Sequence, residues 1–223
     1  MMSQITWSYS SLKTFEQCPK KYYHLRVAKD VKDEGSEAIL YGQELHKAAE
    51  NFIKEDKELP PKFKFIQETV NAIKSIPGDK HCEMKLGVKQ TDAGYEPCGF
   101  FDKDVWWRGV ADVVITQDTL AFSIDYKTSK NAKYADLKQL DVVAAALFTH
   151  FPQITKIKSA LAFVVSNEFI HKENFAKMRD SYFQSFNPLL DRLAGAEETG
   201  VWNTNTGPLC RFCPVTACEH NRR

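Results

Sequence analysis

Two strand-like runs joined by a short turn constrain this chain more than any other feature. Asp104–Ile115 and Ala121–Thr128 are rich in β-branched and aromatic residues, and Thr116-Gln117-Asp118-Thr119 between them reads as a turn. Antiparallel pairing of these runs brings Asp112, in Arg108-Gly109-Val110-Ala111-Asp112, to the same sheet edge as Asp125 and Lys127, in Ile124-Asp125-Tyr126-Lys127. Two carboxylates a few ångströms apart do not both stay ionised unless a cation neutralises them. Mg²⁺ takes oxygen ligands and suits such a pair. A nearby lysine can orient a water for phosphodiester hydrolysis. The plainer reading of the same residues is a solvated Asp125–Lys127 ion pair at a strand end.

The chain has 223 residues, enough for one α/β domain with its own core. A hydrophobic fraction of 43% and an aromatic fraction of 12% exclude a disordered chain. No apolar run is long enough to span a bilayer. Met1-Met2-Ser3-Gln4-Ile5-Thr6-Trp7 lacks the basic stretch and apolar core of a secretory signal, so a cytoplasmic protein without a membrane partner is expected. Lys+Arg number 30 and Asp+Glu 29, so net charge does not point to a polyanionic partner. Nucleic-acid contacts would come from local patches: Lys20-Lys21, Arg26, Lys130 with Lys133, Lys156 with Lys158, or Arg222-Arg223. Each is also readable as a solvated face.

Cysteine usage divides in two. Cys210, Cys213 and Cys218 form C-x₂-C-x₄-C with Pro214 after the second cysteine, a spacing that suits one metal ion or cluster. Three thiolates need a fourth ligand. Cys18, in Phe15-Glu16-Gln17-Cys18-Pro19, is the natural donor, and His220 is a local rival that would give a Cys₃His zinc site. Cys82 and Cys98 lie in strand-like segments and read as small packed residues. Cys18 and Cys210 are about 190 residues apart. A bond between them would clasp the chain ends and confine the unfolded chain by ~4–5 kcal/mol.

Along the chain, 7–28 reads as a helical pair interrupted at Pro19, with Ser8 or Ser10 as its N-cap. A helix over 36–56 places Ile39, Gly42, His46, Ala49 and Ile53 on one face. His46 on that stripe is readable as a core histidine or as a ligand. Next come a helix over 63–76 and a strand over 82–90, with Met84, Leu86 and Val88 alternating against Glu83 and Lys85. The two aspartate-bearing strands follow, then a helix over 134–151, a strand over 157–166, a long helix over 174–198 and a loop over 200–207. This order predicts an α/β fold with a mixed central sheet flanked by helices.

These residues together resemble a known family. Ser8-Tyr9-Ser10-Ser11-Leu12 with Cys18-Pro19 and Tyr22, Gly42-x-x-x-His46, Gly109-x-x-Asp112, Asp125-x-Lys127 and Cys210-x₂-Cys213-Pro214-x₃-Cys218 occur in the order of the RecB-type branch of the PD-(D/E)XK nuclease superfamily, in its iron–sulfur form. That form includes the AddB nuclease domain and CRISPR-associated exonucleases. The resemblance covers nearly the whole chain. It implies a restriction-endonuclease-like core across a single domain, 1–223, in which 1–30 and 200–223 form a C-terminal iron–sulfur clasp to the N-terminal helix. It implies Mg²⁺ or Mn²⁺ held by His46, Asp112, Asp125 and the backbone carbonyl of Tyr126, with Lys127 orienting the nucleophile. It implies a [4Fe–4S] cluster on Cys18, Cys210, Cys213 and Cys218, where Zn²⁺ is the alternative. Gln139 matches the family's glutamine after the lysine, whereas Val143 stands where a tyrosine is usual. The final cysteine spacing is x₄ where x₅ is common. Glu83 falls near a glutamate of the family's first core strand, and its role is left open.

The activity implied is that of a DNA exonuclease on single strands or free ends, working with recombination, repair or CRISPR partner proteins. Tyr9, Tyr22, Tyr23, Trp106 and Trp107 are candidates for stacking on unpaired bases, or else core residues. The rival function is a non-catalytic nucleic-acid-binding module stapled by zinc or an iron–sulfur site.

Overall fold

The structure is a computed structural model and describes residues 5–33, 35 and 37–221, with the backbone but not the side chain of Tyr134. The N-terminal residues 1–4, the expected helix start at Ser36 and the Arg222-Arg223 patch lie outside the described residues. In chain order the elements begin with α1 (Tyr9–Gln17), α2 (Pro19–Tyr22), α3 (Glu37–Glu55) and α4 (Gln67–Ser75). Four strands follow: β1 (Asp79–Thr91), β2 (Gly94–Cys98), β3 (Trp107–Gln117) and β4 (Leu120–Lys127). Then come α5 (Lys138–His150), β5 (Lys156–Phe163), β6 (Glu168–Phe175), α6 (Arg179–Gln184) and α7 (Asn187–Thr199). No helix among the described residues is long and apolar enough to cross a membrane.

The chain divides into two compact units, one of Met1–Glu34 with Gln184–Arg223 and one of Gly35–Phe183. In the first, Ser8 caps α1: its hydroxyl accepts from Ser11 N at 3.2 Å, and its own N–H donates to Ser11 Oγ at 2.9 Å. Cys18 is extended (φ −163°) and ends α1, and Pro19 then opens α2 because its missing N–H is not needed in a first turn. The helix runs on into a π turn over Tyr23–Val27. Gly200, at φ 68°, stops α7 in the left-handed conformation that glycine tolerates. Trp202 then stacks on Tyr22 with centroids 6.0 Å apart, and Lys20 N donates to Asn203 O at 3.1 Å.

The second unit holds a six-stranded sheet in the order β2-β1-β3-β4-β5-β6. Only β4 and β5 pair in parallel, which requires a crossover, and α5 supplies it. Side chains alternate across a strand, and here the alternation separates two cores. Ala160 and Ala162 of β5 join Leu45, Ala49, Ile53 and Val70 from α3 and α4, while Leu161 and Phe163 join Leu140 of α5. The helices therefore flank both faces of the sheet. β4 divides the same way: Ile124 and Tyr126 belong to the α3 core, which leaves Asp125 and Lys127 for the α5 side.

Several expectations need correction. The helix over 63–76 is a 3₁₀ turn over Pro61–Ile66 followed by α4. The helix over 134–151 starts at Lys138, after a 3₁₀ turn over Ala132–Tyr134. Ile39 is half exposed, and the buried face of α3 is Leu45, Ala48, Ala49 and Ile53. Residues 174–198 are not one helix. Asn174 ends up fully buried in β6, where Ser159 Oγ donates to its Oδ1 at 2.8 Å and its Nδ2 donates to Asp141 Oδ1 at 2.8 Å. Chain reversal then gives α6 and α7, with Pro188 in the first turn of α7. The edge strands β2 and β6 were not expected at all. Cys82 is buried as foreseen, whereas Cys98 at the end of β2 is only half-buried.

Gly109 shows why a side chain is missing three residues before Asp112. A Cβ there would lie 2.7 Å from two ring atoms of buried Trp107. Gly42 has no such demand, since a Cβ would meet Thr128 Oγ1 at 3.5 Å, an ordinary contact.

Candidate active site

The β3–β4 ladder stops at Val113–Ile124, and beyond it the strands part. The Tyr126 N–H, which would continue the ladder, instead donates to Asp112 Oδ2 at 2.8 Å. A carboxylate thus replaces a backbone carbonyl at the fork. On the α5 side, Lys127 Nζ lies 2.6 Å from Asp125 Oδ2 and donates to Gln139 Oε1 at 2.9 Å. Gln139 Nε2 donates to Asp125 Oδ1 at 2.5 Å, so one amide ties the lysine to the aspartate. Gln139 stands in the first turn of α5, and Val143 follows one turn later.

His46 reaches the same fork from α3. Its Nδ1 lies 3.4 Å from Asp112 Oδ2 and 3.8 Å from Glu83 Oε1, and Nε2–H donates to the Tyr126 carbonyl at 3.2 Å. Both ring nitrogens thus face acceptors, an arrangement that favours the imidazolium. Burial works against that charge, but the hydrogen bond to Asp112 and the charges of Asp112, Asp125 and Glu83 outweigh it and raise the His46 pKa. Burial pushes the Asp125 carboxyl up to about 6, with Asp112 adding to the rise and Lys127 opposing it. Glu83 is raised by burial and then by Asp112. Three carboxylates, Glu83, Asp112 and Asp125, thus share one partly buried site with His46 and Lys127.

The backbone is also unusual here. Glu83 has φ +50°, a left-handed conformation rare for a residue with a Cβ. The β1–β3 ladder pairs Cys82 with Val113 and Met84 with Ala111, and the Glu83–Asp112 position between them is not paired. Ligand-capable atoms of His46, Glu83 and Asp112 all lie within 4.8 Å of one another. One imidazole and two carboxylates at that spacing fit a divalent ion such as Mg²⁺ or Mn²⁺, and the orphaned ladder position beside them fits a built site. The structure therefore brings together His46, Asp112, Asp125, the Tyr126 backbone, Lys127 and Gln139, and it adds Glu83. Sequence alternation alone could not show that Glu83 leaves the strand conformation.

Cys18, Cys210, Cys213 and Cys218 line one cavity of about 320 Å³ in the first unit, together with His220. All four are half-buried free thiols. Gly207 N–H donates to Cys210 Sγ at 3.4 Å, and Asn221 Nδ2 donates to Cys213 O at 3.0 Å. Lys20 and Lys21 border this cavity. Lys156 is paired with Glu173 at 2.7 Å, and Lys158 lies over the Phe122 ring. Trp106, Trp107 and Tyr22 are buried and are core residues, not stacking surfaces. Phe101 is 76% exposed and is the most exposed aromatic side chain among the described residues, and its neighbour Phe100 is half-buried.

Residues 6–218 match the family model described as the PD-(D/E)XK nuclease superfamily. No curated protein matches the sequence. Among solved structures, one from Eubacterium rectale, described as "Putative exonuclease", is similar: it shares 15% identity with a TM-score of 0.52, over 97% of this chain and 88% of that one. The crystal structure of SSO0001 shares 13% identity with a TM-score of 0.49, over 98% of this chain and 88% of that one. At 15% identity the likeness to the Eubacterium rectale protein is one of fold.

Proposed function

The chain belongs to the PD-(D/E)XK nuclease superfamily, and from that membership we propose that it is a metal-dependent DNA exonuclease of the RecB-type, iron–sulfur branch. Its substrate is single-stranded DNA or DNA with free ends, in recombination, repair or CRISPR spacer processing, and its location is cytoplasmic. The whole chain, 1–223, acts as one nuclease domain. The observation that carries this reading is the fork itself. Asp112 occupies the position where β3 and β4 part, with Asp125, Lys127 and Gln139 on one hand and His46 and Glu83 on the other.

His46, Asp112, Asp125 and the Tyr126 carbonyl would hold Mg²⁺ or Mn²⁺, with Glu83 as a further carboxylate. The ion supplies Lewis-acid charge at the scissile phosphate and lowers the pKa of a water. The protein's own residues then have distinct tasks. Lys127 is a hydrogen-bond donor held by Asp125 and Gln139, and it orients the attacking water. Gln139 fixes the lysine against rotation. The imidazole is a softer donor than carboxylate, which favours Mn²⁺ over Mg²⁺.

The clasp of 1–30 with 200–223 carries a [4Fe–4S] cluster on Cys18, Cys210, Cys213 and Cys218. The observation behind a shared site is that all four cysteines line the same cavity, and Zn²⁺ is the alternative occupant.

The test is digestion of end-labelled single- and double-stranded DNA with Mn²⁺ or Mg²⁺, against EDTA. Asp112→Ala and Lys127→Ala should each stay folded and cleave at least ~100-fold more slowly. Native-rate cleavage by Lys127→Ala would remove the hydrolytic mechanism. Binding without cleavage under any divalent ion would leave a nucleic-acid-binding module.

A further inference from the structure

We propose that Phe100 and Phe101, with Lys85 and Arg108, form a docking platform for unpaired nucleotides leading to the acid fork. This rests on the nuclease reading and names the form of DNA it would act on. The two rings meet edge to face at 4.9 Å between centroids. Lys85 Nζ lies 5.9 Å from the Phe100 centroid and 5.5 Å from that of Phe101, and Arg108 Cζ lies 5.5 Å from Phe100. A lone exposed phenylalanine needs no explanation. Two adjoining rings bordered by two cations are different, because they offer π-faces for bases beside charges for phosphates, the combination that single-strand binders use.

The platform is braced. Gly99 N–H donates to Asp102 Oδ2 at 2.6 Å, Asp102 N returns a bond to Gly99 O at 3.1 Å, and Trp106 N donates to Val88 O at 2.8 Å. A Cβ at Gly99 would lie 2.5 Å from Asp102 Oδ1 and would displace the carboxylate that accepts from the Gly99 N–H. Phe101 is therefore held out in solvent by a pinned loop, which lowers the ordering cost of binding. Asp102 is occupied by that turn. Asp104 and Lys103 are exposed beside it and offset each other.

Position ties the platform to the fork. Arg108, Val110 and Asp112 alternate to one face of β3, and Lys85 pairs with exposed Val110. Two residues of strand cover ~6.8 Å, so Lys85 lies one such step from Asp112 and Arg108 two steps. A strand stacked on Phe101 is thereby led along Arg108 and Lys85 to the acids. A base paired in duplex has its faces covered and cannot stack in this way, so the occupant is single-stranded DNA.

The test is fluorescence anisotropy in EDTA, with a 5′-labelled oligo(dT) and a blunt duplex of equal length as probes. Phe101→Ala should bind oligo(dT) at least about fivefold more weakly, the low end for losing one stacked base. Its duplex affinity should stay within twofold. Phe101→Trp should retain single-strand affinity. Lys85→Ala should lower the salt slope for oligo(dT) by ~0.7, as for one lost phosphate contact. Unchanged oligo(dT) affinity of Phe101→Ala would overturn the platform. So would an equal loss on the duplex, or a change in oligomeric state alone. Cleavage by the native protein with Mn²⁺ separates the two ideas: native cleavage with full affinity of Phe101→Ala removes the platform only, whereas tight oligo(dT) binding without cleavage removes the nuclease reading.

Discussion

Glu83 of β1 stands opposite Asp112 of β3 at the gap in their ladder, and both carboxylates lie within 4.8 Å of the His46 imidazole. The left-handed backbone of Glu83 costs roughly 1–2 kcal/mol. Strain of that size persists where surrounding structure enforces it, commonly at functional sites. Two substitutions separate strain from ligation. Glu83→Gln should reduce Mn²⁺ affinity about tenfold in calorimetry with little change in Tm. Glu83→Gly should reduce it similarly while raising stability by up to about 1 kcal/mol, because glycine accepts this φ. Unchanged Mn²⁺ affinity in both would make Glu83 a bystander.

The acids also make the protein pH-dependent. The folded Asp125 pKa of about 6 exceeds its unfolded value, so the folded state binds more protons between the two. Stability of the metal-free protein should therefore fall as pH rises from about 4 through 6. His46 adds to the trend, since its raised pKa gives stability that is full below its unfolded value and is lost as pH rises through the folded one. Metal reverses the preference, because it binds the deprotonated groups. Apparent Mn²⁺ affinity should rise by about tenfold per pH unit for each proton displaced, through pH 6. Chemical denaturation at several pH values, with and without Mn²⁺, reads both slopes. A flat metal-free profile would contradict the burial of Asp125.

Gln139 touches both Asp125 and Lys127, so it is a positioning residue. Gln139→Ala should lower kcat about 10–100-fold and change KM by less than threefold, since the lysine loses its restraint while the substrate surface is kept. Its pH–rate profile should shift as well. A pure KM effect would instead place Gln139 on the DNA.

For the thiols, anaerobically purified protein should be brown and carry about four irons per chain. Cys18→Ser should lose the iron, and Cys82→Ser should keep it, because Cys82 is buried in the α3 core. One zinc and no iron in anaerobic protein would assign a zinc site. The acid fork would be unaffected by that result, since its residues belong to the other unit.

Much of this site was legible in the sequence because its residues sit where local signals are strong. Asp112, Asp125 and Lys127 lie on strands whose β-branched runs fix their parity, and Pro19 marks the helix break at Cys18. Glu83 was legible only as a candidate left open by the resemblance, and its left-handed backbone was not, because a positive φ leaves no trace in an alternating pattern. β6 was hidden for a related reason. Its inward positions carry Ile170, Lys172 and Asn174, the last two bonded to Asp141, while Phe169 and Phe175 face outward, so Glu168–Phe175 shows no alternation of apolar and polar residues. Phe101 was missed because hydrophobicity predicts burial, whereas its exposure is set by the Gly99–Asp102 turn.

The first unit has an implication for how the protein is made. Tyr22 and Lys20 meet Trp202 and Asn203, residues that leave the ribosome long afterwards. At ~5–20 residues per second, that delay is about 10–40 s. Throughout it, Leu12, Phe15 and Tyr22 lack their later cover and Cys18 has no companion thiols. The strands of the sheet all lie between residues 79 and 175, so the acid fork can assemble while α1 and α2 are still waiting. Synthesis order thus puts the thiol cavity last, because Cys210, Cys213 and Cys218 follow every strand and helix of the sheet unit.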